Sequence, residues 1–105
     1  EIQNFQGITR QELTGQSGEK TSFDLRYFEI DPGGFSSLEK HIHEHVIIGV
    51  RGTGELTLGE QTYRISPNDI AHVNTLNPHQ LKNVSQEPFG FYCIVDHDRD
   101  KPMKV

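Results

Sequence analysis

The chain has 105 residues and a mass of 12.0 kDa, with 10 Lys+Arg against 15 Asp+Glu and a formal charge of -5. That length holds one domain with a single modest core. The acidic balance argues against a nucleic-acid surface, which needs a basic excess, and no apolar stretch approaches the roughly 20 residues that cross a membrane.

Residues 1–20 are polar and carry Gly7, Gly15 and Gly18. They read as an N-terminal arm with room for one short strand. From Thr21 onward, strand signals come at short, regular intervals. Residues 23–30 are rich in β-formers, and Asp31-Pro32-Gly33-Gly34 follows as a turn signal, because proline fixes φ and glycine supplies positive φ. Residues 39–50 are extended, with a break near 42–44. Arg51-Gly52-Thr53-Gly54 is a second turn. Strands follow at 55–58, 61–65, 70–73, 79–84 and 89–95, separated by Gly59-Glu60, Ser66-Pro67-Asn68-Asp69, a loop over 74–78 and a turn over 85–88. Eight or nine short strands with this turn spacing predict an all-β sandwich or barrel over residues 21–96, with a charged tail over 97–105. A hydrophobic share of 32% and a mean hydropathy of -0.63 suit a thin-walled β structure. The single cysteine, Cys93, excludes an intrachain disulfide, and a reducing cytoplasm is the expected compartment.

The chemistry concentrates in Glu39-Lys40-His41-Ile42-His43-Glu44-His45, which holds three of the six histidines. Side chains on a strand repeat with period 2, so an extended segment would put Glu39, His41, His43 and His45 on one face. Imidazole with carboxylate is a ligand set for Mn, Fe, Ni, Cu or Zn. On spacing alone, a surface strand with exposed histidines remains an equal reading.

The flanking residues break that tie. Gly33 is followed after five residues by Glu39, after one by His41, after three by His45 and after six by Gly52. This spacing resembles the first motif of the cupin superfamily. Downstream, His79 followed after three residues by Asn83 resembles the end of the second cupin motif, and the resemblance covers roughly residues 25–95. It implies a small single-domain cupin of double-stranded β-helix, or jelly-roll, architecture. The motif's first histidine position holds Glu39 here, and its glutamate position holds His45. His41 and His79 match as they stand. The resemblance therefore implies a metal site of Glu39, His41, His45 and His79, with one divalent Fe, Mn, Ni, Cu or Zn ion per subunit. A second set, with His43 as ligand and Glu39 as its orienting carboxylate, stands behind it. Thr75 and Leu76 replace the proline and glycine usual in the second motif.

Other residues carry less. His72 reads as a surface or half-buried structural histidine, and His97 as part of a solvated terminus. Phe91, Cys93 and Val95 share a strand face opposite Tyr92 and Ile94, which makes Cys93 a buried small hydrophobe on the barrel lining. Val46, Ile47, Ile48 and Val50 are apolar on both strand faces, so something covers both. The resemblance supports a homodimer as one of those covers. Two functions are expected from it: a metal-dependent enzyme of dioxygenase or isomerase type on a small molecule, or a non-catalytic small-molecule-binding or sensor module with a structural metal. Neither uses nucleic acid or a membrane as partner.

Overall fold

A computed structural model describes residues 5–40, 44–73, 78–99 and 103–104. Every regular element among them is a strand: β1 (Gln6–Glu12), β2 (Phe23–Phe35), β3 (Glu39–Lys40), β4 (His45–Arg51), β5 (Gly54–Leu58), β6 (Gln61–Ile65), β7 (Ile70–Val73), β8 (His79–Lys82), β9 (Phe89–Asp96) and β10 (Met103–Lys104). All pairings are antiparallel, and they form one sheet that curls into a barrel. One wall runs β1-β2-β9-β4-β7, and the other runs through β6-β5-β8-β3-β10.

β2 joins the two walls. Its residues 23–30 pair along the whole of β9, while Phe35 at its far end pairs with Lys82 of β8. The expected turn at Asp31-Pro32-Gly33-Gly34 thus lies inside a strand rather than between strands. The turn chemistry is still at work there. Gly33 has φ of 80°, and five steps of β2 from Ile30 to Phe35 oppose two steps of β1 from Ile8 to Gln6. Such a bulge bends the strand, and the bend lets β2 cross between walls.

The core draws on both walls. Ile30, Ile47, Val73, Phe89 and Phe91 come from the first, and Leu56, Ile65 and Leu81 from the second. β9 alternates from Phe91 onward: Phe91, Cys93 and Val95 are buried, as is Phe89, while Tyr92 and Asp96 are exposed and Ile94 is half-buried. Phe91 stacks on Phe28 with ring centroids 5.3 Å apart and leans on Phe89 at 5.0 Å. Gly54 is glycine for a packing reason, since a Cβ there would lie 2.2 Å from the Phe89 ring. Ile47 is buried whereas Val46 and Ile48 are half-buried, so the two apolar faces of β4 are covered unequally.

Candidate functional site

Three strands bring the described ligand candidates onto one cavity. Glu39 on β3 faces His79 on β8 as its direct cross-strand partner, which puts both side chains on one face. His45 opens β4, opposite Val95 of β9, and its ring lies 5.3 Å from the His79 ring at 77°. His79 is 7% exposed. Glu39 accepts a hydrogen bond from the Ser37 hydroxyl. His45 Nδ1 sits 3.3 Å from Cys93 Sγ, so the parity that put Cys93 on the barrel lining also brings it to the candidate site. His41 and His43 lie outside the described residues. Among those described, no group of three His, Cys, Asp or Glu side chains is spaced to hold a metal ion. Two imidazoles and a carboxylate on one cavity wall nevertheless have the donor chemistry a divalent transition metal takes.

The cavity has a volume of about 530 Å³, and its lining includes Glu39, His45, His79 and Cys93, a size within the roughly 300–1,000 Å³ of small-molecule sites. Phe28, Ile47, Leu81 and Phe91 supply its apolar wall, and Ser36 and Ser37 add hydroxyls. Three arginines, Arg10, Arg26 and Arg99, also line it. Arg26 Nη2 donates to Cys93 Sγ at 3.3 Å. Burial pushes the Cys93 thiol up from its ordinary value, and the Arg26 guanidinium beside it pulls the other way. Burial is the larger effect, so Cys93 is a neutral thiol here, not an activated nucleophile.

The histidines outside the motif are placed as their sequence settings imply. His72 is exposed, with Nε2 against Glu44. His97 is exposed, with Nδ1 3.0 Å from Asp24 Oδ1. Arg99 Nη1 donates to Asp24 Oδ2 at 2.6 Å. Hydrogen bonds from His97 and Arg99 hold the Asp24 carboxyl below its usual range, and Asp24 in turn raises His97.

Sequence reasoning did not find Arg26. The available signal was its parity with Phe28 and Ile30, which marks an arginine pointing into the barrel.

Comparison with known proteins agrees with this architecture. A family model described as Cupin domain matches residues 26–95. The 1-methylthio-D-xylulose 5-phosphate methylsulfurylase of Rhodospirillum rubrum is 38% identical over 98 residues, covering 93% of this chain and 62% of that protein. The chain thus spans under two thirds of that relative. A crystal structure of a cupin-2 domain from Rhodospirillum rubrum superimposes with a TM-score of 0.89 at 35% identity, covering 98% of this chain and 68% of that one. A cupin 2 domain-containing protein from Halorhodospira halophila gives a TM-score of 0.87 at 41% identity, covering 94% and 70%. With a family match across most of the barrel and an all-strand fold shared with these structures, the chain belongs to the cupin family.

Proposed function

We propose that this cupin is a metal-dependent enzyme acting on a small oxygenated molecule, with Glu39, His41, His45 and His79 holding one divalent transition metal. The observation that carries the reading is the convergence of Glu39, His45 and His79 from three separate strands onto one ligand-sized cavity. A metal bound there would supply Lewis-acid polarisation of a carbonyl or hydroxyl oxygen. The protein's own share is positioning and exclusion of water. Ser37 orients the Glu39 carboxylate. The aromatic and aliphatic wall keeps part of the cavity dry, which strengthens every charge interaction within it. The name of the 38% identical relative denotes an enzyme of a xylulose 5-phosphate derivative. This favours catalysis over a sensor role. The reading keeps the expected homodimer, supported by an apolar row on the outer face: Tyr27, Tyr92, Ile48 and Ile70 are successive cross-strand partners, and Ile70 is 70% exposed.

The test is proton exchange. Metal-loaded protein is incubated with D-xylulose 5-phosphate in D2O, and C–H signals flanking the carbonyl are followed by NMR. The expected result is deuterium incorporation that stops with chelator or with His79→Ala. Stoichiometric metal with no exchange would transfer the site to the binding-module reading with a structural metal.

A further inference from the structure

We propose that Arg26 is the anchor of an anion subsite in the cavity and that its ligand is the phosphate monoester of a small sugar-like molecule. The inference rests on the cavity of the proposed function and names the class of molecule that enters it. Arg26 lines the cavity and is only 9% exposed. Its Nη2 meets a thiol sulfur, and its guanidinium carbon lies 5.1 Å above the Phe28 ring. Among the described residues, no carboxylate pairs with it, and its buried Nε has no hydrogen-bond partner. A buried cation without a counter-ion is costly. An entering anion removes that cost.

The neighbours indicate the kind of anion. Arg10, whose Nε is held by Glu12 at 3.1 Å, and Arg99, whose Nη1 is committed to Asp24 and the Asp96 carbonyl, bring two further guanidinium groups to the same cavity. Those two guanidinium groups already have carboxylate partners in Glu12 and Asp24, whereas Arg26 has none among the described residues, where the lining carboxylate is Glu39. Guanidinium forks match the oxygens of a phosphate, and several donors around one cavity exceed what a lone carboxylate accepts. Arg26 is the direct register partner of Cys93, and Cys93 Sγ contacts His45. A molecule held by its phosphate at Arg26 therefore extends its other oxygens toward His45 and His79.

The experiment is calorimetric titration of the protein as purified, before and after chelator treatment, with inorganic phosphate, D-xylulose 5-phosphate and unphosphorylated D-xylulose. Expected is binding of both phosphate-bearing probes that survives chelation, with the free sugar much weaker. Arg26→Met weakens that binding by roughly 10- to 100-fold, the loss of one charged hydrogen-bonding group. Arg26→Lys, which keeps the charge but not the fork, falls between. On the wild-type chain, phosphate shifts the Arg26 Nε–Hε NMR signal, a reading independent of whether any variant folds. The inference is overturned if phosphate saturates without moving that signal, if binding disappears with chelator but is unchanged in Arg26→Met, or if no probe binds. Phosphate binding by a protein that takes up no metal would instead refute the metal reading and leave the anion subsite standing.

Discussion

Asn83 offers the sharpest test of how the barrel is held together. It is 1% exposed and makes four side-chain hydrogen bonds. Its Nδ2 donates to the Ile30 carbonyl at 2.8 Å and the Glu87 carbonyl at 2.6 Å. Its Oδ1 accepts from Ser85 N at 2.9 Å and Ser85 Oγ at 2.7 Å. Its backbone meanwhile exchanges bonds with Gly33 and Gly34, both 3.0 Å, at the bulge of β2. Asn83→Ala takes the side-chain donor from the carbonyl of Ile30, a residue that is 0% exposed, where water does not replace it. Loss of that fully buried bond costs about 2 kcal/mol, and the three remaining bonds, nearer solvent, cost roughly 0.5 kcal/mol each. The sum, about 3.5 kcal/mol, lowers Tm by roughly 15–25 °C for a domain of this size. Urea denaturation followed by circular dichroism should show the midpoint falling with an unchanged slope. Asn83→Asp sharpens the test, because it sets a carboxylate against two carbonyl oxygens. Its stability should recover as pH falls and the carboxyl protonates. A loss below about 1 kcal/mol for Asn83→Ala would refute the reasoning.

Three further outcomes are expected. Phe89→Ala removes a fully buried ring and should cost about 3–5 kcal/mol in denaturant unfolding; a cost near 1 kcal/mol would mean that the core closes around the void. Asp24 raises His97 above its ordinary 6.5 and is itself held below 3.8. Stability from this pair should be fullest between those values. It should fade as pH rises through the raised His97 value and as pH falls through the lowered Asp24 value. NMR titration of His97 and a pH–stability profile of His97→Gln, which should lack the neutral-side decline, check the sign. His41→Ala should abolish metal retention and His43→Ala should leave it nearly intact. The reverse dependence, with Glu39 dispensable, would shift the ligand set to the one containing His43.

Much of the barrel was legible because turn chemistry and alternation are local signals. Phe91, Cys93 and Val95 were placed on one face by period 2 alone, and the structure buries all three. Asp31-Pro32-Gly33-Gly34 was read as a reversal, yet β2 continues through it, because the pairing that keeps it a strand comes from Gln6 and Lys82, far away in sequence. The pairing of Glu39 with His79 was reachable only through motif resemblance, since no local pattern links residues 40 positions apart. Arg26 was missed because an arginine reads as a solvated side chain. Its parity with Phe28 and Ile30 was the local signal, and the register of β2 against Cys93 of β9 places it at the cavity.

The central claim is that the barrel holds a metal, and elemental analysis by plasma mass spectrometry of tag-free protein tests it most directly. Close to one divalent transition metal per chain is expected, falling sharply in His41→Ala and His79→Ala. Protein that carries no metal as purified, and takes none up on reconstitution with Fe, Mn, Ni, Cu or Zn, would contradict it.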